Sequence, residues 1–190
     1  MVLLRHNQTG NMTNTLVLAT ATDLFISGDI KDEGSDKLKG ACIVKRGAAK
    51  LTLSGNNTFE GRFTMEEGTV ALASDTALPV SAPLTLAGGT VTCGSTRNTT
   101  GVLTLSGDTA INLEGGSLAF ADSSEATWTA GAALAITGDD NLPTRSLRFG
   151  SSASGLTAAQ LRQITYNGER VSLDSSGYLR HRDGFMIIVK

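Results

Sequence analysis

The sequence predicts an all-β fold in which the chain winds into a single-stranded parallel β-helix (β-solenoid) that ends in a C-terminal capping segment. Three observations support this prediction. Short strands of alternating apolar residues end in glycine, the same strand-plus-turn unit recurs, and its Gly-Thr-Val element returns after roughly 20 to 27 residues. Such a unit buries its apolar face only against neighbouring copies of itself, as the repeats of a solenoid do.

The composition indicates an aliphatic core and excludes several classes of protein. The 190 residues include 22 glycines, 40% hydrophobic residues and 5% aromatic residues. A core of this composition has to be built from small repeated layers. The net charge of −2 gives no basic surface for nucleic acid. Apolar runs such as residues 185–189 are too short to cross a bilayer, so we expect neither nucleic-acid binding nor membrane insertion by this segment.

The N-terminal forty residues are predicted to contain two strands followed by a loop. Residues 15–19 and 23–28 have strand composition, and the second run is closed by glycine. Residues 29–39 are mostly charged and are predicted as an exposed loop.

From Ile43 to about Leu142 the chain alternates strand and turn, with Thr or Ala mostly standing between the apolar positions. This spacing suits strands that are buried on one side. Copies of a Leu-x-Leu-x-Gly motif and of the Gly-Thr-Val element are interpreted as equivalent repeats, the latter at Gly68, Gly89 and, as Gly-Ser-Leu, Gly116. The apolar pairs are Leu51/Leu53, Val70/Leu72, Leu84/Leu86, Leu103/Leu105, Leu118/Phe120 and Leu134/Ile136.

The pattern changes near the C-terminus. Apolar residues 156, 161 and 164 have helical spacing, and Thr157 with Gln160 forms a capping box. A helix of about two turns is therefore predicted at about 157–164, followed by strands near 170–174 and 177–180. We predict a parallel β-helix over residues 1–145 and a cap over residues 146–190 that covers the last open coil. A β-sandwich is the alternative fold, since glycine-ended strands at this spacing also suit one.

Residues 45–72 resemble the autotransporter-associated β-strand repeat. The run Lys45-Arg-Gly-Ala-Ala-Lys-Leu-Thr-Leu-Ser-Gly-Asn-Asn-Thr-Phe-Glu-Gly61, followed by Glu67-Gly-Thr-Val-Ala-Leu72, is similar to that family's Lys-x-Gly-x-Gly-x-Leu-x-Leu-x-Gly-x-Asn-x-Tyr-x-Gly and Gly-Gly-Thr-Leu. Ala49 replaces the second glycine and Phe59 the tyrosine. Residues 146–164 and 174–179 look like the tail segment of large bacterial surface proteins with such repeats.

The resemblance implies a right-handed β-helix that is exported and displayed on a Gram-negative-type surface. It implies a passenger stalk and no chemistry. Because no signal peptide is evident before Arg5 and no barrel strands follow, we expect the chain to be a piece of a longer passenger, or a passenger that is released or anchored in another way. The expected localisation is secreted or associated with the bacterial cell surface and outer membrane.

Side chains suited to catalysis are sparse, and no catalytic, cofactor-binding or metal-binding residue is assigned. His6 and His181 lie near opposite ends of the chain without partners at ligand spacing and are expected to be solvated. Asp139 and Asp140 close a strand, and turn chemistry explains them. Trp128 alternates like a strand residue and is expected in the core rather than as a platform for sugars.

The acidic residues of the 29–39 segment could ligate calcium, but they lack the ligand order of known calcium loops. Two lysines, Lys31 and Lys37, stand among them, which favours a solvated loop. The acidic residues are Asp29, Asp32, Glu33 and Asp36. Other charges are expected to be ordinary surface charges: Glu66 and Glu67 against Arg62, and Arg162 and Arg170 near the cap.

Cys42 and Cys93 follow no metal-binding spacing, and both lie in or beside strand-like runs. Two free buried thiols are the favoured interpretation, and a cross-link between adjacent coils is the alternative.

The predicted function is that of a non-catalytic structural or stalk segment of a surface-displayed passenger, with a contribution to adhesion. The expected partners are adjoining repeats of a longer parent chain and host or matrix glycans or proteins. A glycan- or protein-binding adhesin module is the alternative. A polysaccharide-active β-helix enzyme is a more distant one, because such an enzyme needs several carboxylates on one face and the acids here fall mostly in turns.

Overall fold

The computed structural model describes residues 2–4, 15–32, 40, 42–138 and 146–182, and every structural statement concerns these residues. They form nineteen short strands and one short helix, α1 (Ala158–Leu161), which lies between the sixteenth and seventeenth strands. The strands are β1 (Val2–Leu4), β2 (Thr15–Ala19), β3 (Leu24–Ile26), β4 (Ile30–Asp32), β5 (Cys42–Arg46), β6 (Lys50–Leu53), β7 (Phe63–Met65), β8 (Thr69–Leu72), β9 (Leu84–Leu86), β10 (Thr90–Thr92), β11 (Arg97–Thr100), β12 (Leu103–Leu105), β13 (Thr109–Asn112), β14 (Ser117–Phe120), β15 (Leu134–Thr137), β16 (Leu147–Phe149), β17 (Ile164–Tyr166), β18 (Glu169–Leu173) and β19 (Leu179–His181).

Most strands pair in parallel with a strand that follows 19 to 30 residues later, and the stretch of chain between two such paired strands is called a coil below. In the largest sheet, β3, β6, β8, β10, β13, β15 and β17 follow one another in parallel. A second parallel sheet has the order β2-β5-β7-β9-β12, a third has the order β11-β14-β16, and β1 pairs with β4. The all-β prediction with parallel strands is confirmed, and this pairing differs from the antiparallel pairing of a β-sandwich.

The apolar side chains of successive coils stack on one another to form the core. Leu84 pairs with Leu103 and Leu86 with Leu105, so leucines form columns along the stack. All the apolar pairs predicted from the alternation are buried, which confirms the inward assignment. Burial of one such side chain stabilises the folded state by about 1.5–3 kcal/mol relative to leaving the side chain exposed to water.

The repeated Leu-x-Leu-x-Gly motif does not mark one position in the coil, so the interpretation of its copies as equivalent is wrong. The copies at Leu84 and Leu103 form strands of the five-stranded sheet, whereas the copy at Leu51 and the related run Leu134-Ala-Ile-Thr-Gly138 belong to the largest sheet. The motif encodes only a one-sided strand that is closed by a turn. Any side of a coil accommodates such a strand.

Gly68 and Gly89 stack at one corner of the coils, ahead of β8 and β10. Both have a positive φ, 77° and 80°, and a β-carbon on Gly89 would collide with the backbone oxygen of Gly68. The left-handed turn and the close approach of the two backbones therefore both require glycine. Gly116, interpreted from the sequence as a third copy, instead precedes β14 of the three-stranded sheet.

Part of the segment predicted as a charged loop is a strand. Ile30 begins β4 and is fully buried, and β4 pairs in parallel with β1. The neighbouring Asp29 and Lys31 form an ion pair with a nitrogen–oxygen distance of 2.9 Å. One apolar residue between charged ones is too short an alternation to identify from sequence. Residues 33–39 lie outside the described residues.

The predicted capping box is confirmed, but the helix is shorter than expected. Thr157 accepts the N–H of Gln160, and the Gln160 side chain accepts the N–H of Thr157. The helix ends at Leu161 rather than continuing to 164, because Ile164 is already buried in β17. None of the described helical residues forms a helix long and apolar enough to span a membrane.

Parallel pairing gives way to antiparallel pairing after β17. Asn167 and Gly168, with φ of 46° and 85°, form the two-residue turn of a hairpin between β17 and β18. β19 then pairs with β18, and a bridge between Arg148 and Tyr178 connects this end to β16. Parallel pairing extends past residue 145 into β16 and β17, and the predicted division at 145/146 stays a prediction.

Candidate functional site

A polar groove lies on the outer face of the three-stranded sheet β11-β14-β16. Thr99 pairs with Ala119, which pairs with Arg148, and Arg97 pairs with Ser117 one step along the same face. Because alternate residues of a strand point to opposite faces, these five side chains share the outer face. The residues between them are buried and belong to the inner face.

The groove has a volume of about 210 Å³. Its lining combines two guanidinium groups with four hydroxyl groups, and Ala119 contributes only a methyl group at the centre of the sheet. Among the described residues that line it there is no Asp or Glu. The polar side chains of the lining used below are Arg97, Thr99, Ser117, Ser146, Arg148 and Tyr178.

Arg148 has an unusual environment for an arginine on a strand. Its guanidinium carbon lies 5.7 Å from the centre of the Tyr178 ring, a cation–π contact. Its Nε is buried and has no hydrogen-bond partner within the described part of the chain. Behind it, the inward-facing Phe149 ring stacks on Phe120 at 4.9 Å, which fixes β16. The structure thus holds a cationic donor at the groove without giving that donor an acceptor.

Arg97 provides the second positive charge. Its backbone N–H donates to Asp75 at 2.8 Å, and its side chain is exposed. No ion pair joins Arg97 or Arg148 to a carboxylate in the described ranges. The groove therefore presents two unneutralised positive charges on a chain whose net charge is −2.

A second, more apolar groove of about 370 Å³ lies at the C-terminal end, between α1 and β18. Leu161 and Val171 line it together with Arg162, Arg170 and Arg182. Arg162 and Arg170 are exposed, as expected for surface charges. Residues 183–190, which follow Arg182 directly, lie outside the described residues.

Lys45 is a buried cation that the sequence reasoning missed. Its side chain is fully buried, and its ammonium donates to the carbonyl oxygens of Arg46, Gly47 and Glu67 at 3.1, 2.5 and 3.1 Å. Burial lowers the pKa of Lys45, and the Glu67 carboxylate opposes that shift. Glu67 belongs to the next coil, so this side chain joins two coils.

The predicted acidic loop is only partly a solvated loop. Asp29 accepts the backbone N–H of Asn56 at 2.8 Å, and Asp32 accepts that of Glu60 at 2.8 Å. The hydrogen bond from Lys31, followed by that from Asn56, lowers the pKa of Asp29. These carboxylates join turns of adjacent coils. Glu33 and Asp36 lie outside the described residues.

No cluster of three or more His, Cys, Asp or Glu side chains suited to a metal ion occurs within the described residues.

The prediction for Trp128 is confirmed, and that of two free buried thiols is confirmed in part. Trp128 is buried in the core cluster, and its Nε1 donates to the carbonyl oxygen of Leu103 at 2.9 Å. Cys42 and Cys93 are both free, although Cys42 is only half-buried. Burial raises the pKa of Cys93 to about 12, with a smaller contribution from Glu114.

Two predictions about charged residues need correction. Glu66 pairs with Arg46 on the preceding coil, at 2.5 Å, and not with Arg62. That hydrogen bond lowers the pKa of Glu66. His181 is half-buried rather than fully solvated, with its ring edge-to-face against Tyr166 at 5.4 Å. His6, Asp139 and Asp140 lie outside the described residues.

The groove residues were not singled out from the sequence. The available signal was that Arg97 and Arg148 occupy outward positions of strands whose other outward residues are mostly Thr, Ser or Ala. Their proximity depends on which strands pair, and the sequence alone does not give that pairing.

No protein-family model, curated protein or solved structure matches this chain.

Proposed function

We propose that this chain is a right-handed parallel β-helix that serves as a non-catalytic structural segment of a surface-displayed bacterial passenger related to the autotransporter-associated repeats. The observation that supports the proposal most is the run of seven strands, β3 to β17, that pair in parallel in one sheet. Each added coil lengthens such a stack by about 4.8 Å. A structure of this kind extends in one direction with length, as a stalk requires.

The side chains of the described coils are used mainly for stacking. Inward positions form the core, and several turn residues bond to the next coil. Asn57, for example, accepts the N–H of Ile30 at 2.8 Å and donates to the carbonyl of Ala77 at 2.7 Å. Asn98, in β11, accepts the N–H of Leu78 at 3.0 Å and donates to the carbonyl of Ser74 at 2.9 Å, both on the preceding coil. Buried amides with both groups satisfied stabilise one register of stacking.

The surface location is tested by labelling cells that express the parent gene. An antibody against the purified chain should label intact cells, and protease added outside should remove the signal. Labelling that appears only after permeabilisation would contradict surface display. An antibody against a cytoplasmic protein serves as the control for cell integrity.

The second candidate function is that of an adhesin module. The groove between Arg97 and Arg148 favours it, because an exposed arginine, a half-buried arginine and several hydroxyl groups line it without any acidic residue. Binding of the purified chain to an array of glycans tests this candidate. Saturable binding to a defined glycan class would support the adhesin candidate. Absence of binding to every glycan on the array would count against it and leave the structural role as the remaining candidate.

A further inference from the structure

We infer that the groove on β11-β14-β16 binds an acidic oligosaccharide through a carboxylate or sulfate group held by Arg148. The inference deepens the adhesin candidate by naming its ligand class. It rests on the orphaned donor of Arg148, the absence of lining acids among the described residues, and the hydroxyl groups around it.

The first step concerns charge. A buried donor without an acceptor is unfavourable, and more so when the group is charged. The Nε of Arg148 is such a donor, and the planar guanidinium of arginine matches a carboxylate or sulfate through two parallel hydrogen bonds. An anion in the groove would interact with the charge of the half-buried Arg148 side chain, while the Nε itself lies below the solvent-accessible surface.

The second step concerns the shape of the ligand. Arg97 lies two strands across and two residues along from Arg148, which places their Cα atoms about 12 Å apart at ordinary strand spacing. A single small anion does not reach both guanidinium groups from one position. An extended chain with repeated anionic groups does reach both, and the groove between them is floored by the small side chain of Ala119.

The third step concerns the neutral part of the ligand. Thr99 and Ser117 offer hydroxyl groups, each able to donate and to accept a hydrogen bond. Such groups suit the hydroxyls of a sugar. The ring of Tyr178, which already packs against Arg148 at 5.7 Å, adds an apolar edge with a polar tip.

The test measures binding of the purified chain by titration calorimetry. The probes are a galacturonic acid hexasaccharide and a sulfated heparin hexasaccharide, which distinguish carboxylate from sulfate. Neutral maltohexaose, inorganic sulfate and a thymidylate hexanucleotide are compared with them. We expect saturable binding of one or both acidic sugars, weaker at high salt because exposed charges are screened.

Variants locate the site. Arg148→Met and Arg97→Met should each weaken binding at least about tenfold, since each removes a charge-assisted hydrogen bond to the anionic ligand. Ala119→Leu keeps both charges but fills the floor and should abolish binding. The matched controls are Arg162→Met, which removes an exposed arginine at the other groove, and Ala135→Leu on an exposed position of β15. Both should bind within about twofold of wild type, because neither touches the groove.

Several outcomes would overturn the inference. These are no saturable binding of either acidic sugar, equal binding of maltohexaose, binding of sulfate or the hexanucleotide as tight as that of the sugars, and an equal loss in Arg162→Met. Circular dichroism of each variant excludes loss of fold as the cause. Cell-surface labelling does not depend on this site, so the surface proposal and the groove can fail separately.

Discussion

Removing the Lys45 ammonium tests how adjacent coils are joined. Lys45→Met keeps the length of the side chain but removes its three donors. The carbonyl of Arg46 retains the N–H of Thr20 at 3.0 Å. For the carbonyls of Gly47 and Glu67, the ammonium is the only donor observed within the described residues.

The expected loss of stability follows from those two carbonyls. An unsatisfied buried acceptor costs about 1–3 kcal/mol. Because Gly47 is half-buried and Glu67 is exposed, water reaches this corner and the low end applies, about 2 kcal/mol for the pair. Methionine also avoids the desolvation of a buried ammonium, which offsets part of the loss. We expect Lys45→Met to lower the free energy of unfolding by about 1–2 kcal/mol.

Urea unfolding followed by circular dichroism measures the change, and Lys50→Met is the matched control. Lys50 is exposed and its nitrogen lies 3.8 Å from Asp23, so its replacement should change the free energy of unfolding by less than about 0.5 kcal/mol. Equal stability of the two variants would refute the role of Lys45 in joining coils.

The pH dependence gives a second measure of the same site. The pKa of Lys45 in the folded protein lies below its usual value of 10.5, so the unfolded chain binds more protons between the two values. Stability from this group therefore rises with pH across that window. The difference in unfolding free energy between wild type and Lys45→Met should increase there. A difference that decreases would show that folding favours the ammonium.

Three further outcomes test the stack. Leu105 is fully buried, so Leu105→Asp should cost more than about 4 kcal/mol and abolish cooperative melting; melting like the parent would contradict the inward assignment. At about pH 8 a thiol reagent should modify Cys42 but not Cys93, whose pKa is about 12, and rapid modification of both would refute its burial. Deleting residues 66–86 removes one coil in register, since Met65 pairs with Leu86, and should preserve the circular dichroism spectrum. Deleting residues 66–75 removes only part of a coil and should change the spectrum. Equal spectra for the two deletions would contradict stacking coil by coil.

The sequence predicted the strands well because their alternation is a local property. Leu103 and Leu105 point inward whichever strand they pair with. Trp128 was predicted in the core from a strand-like alternation, and it is buried there although no strand includes it. The capping box at Thr157 and Gln160 was equally local, since its two hydrogen bonds lie within four residues. These features could be predicted without knowing the neighbours in space.

Features that depend on stacking could not be predicted in this way. The Leu-x-Leu-x-Gly motif fits any side of a coil, so it did not show which sheet Leu51 or Leu84 would join. Lys45 has the sequence context of a surface residue, and its burial depends on the carbonyl of Glu67 in the next coil. Likewise, Arg97 and Arg148 share a groove only because β11, β14 and β16 pair in this order.

The central claim is that successive coils stack in parallel along one axis, and distances between spin labels test it most directly. Two doubly labelled variants are made in a chain whose native Cys42 and Cys93 are substituted. In the first, cysteines replace Phe25 and Thr92, and in the second they replace Phe25 and Thr137; each introduced cysteine carries a spin label. Phe25 is three strand steps from Thr92 and five from Thr137 in one column of the largest sheet. The parallel stack predicts backbone separations of about 14 and 24 Å, an increase of about 10 Å. A 25–137 distance equal to or shorter than the 25–92 distance would contradict it.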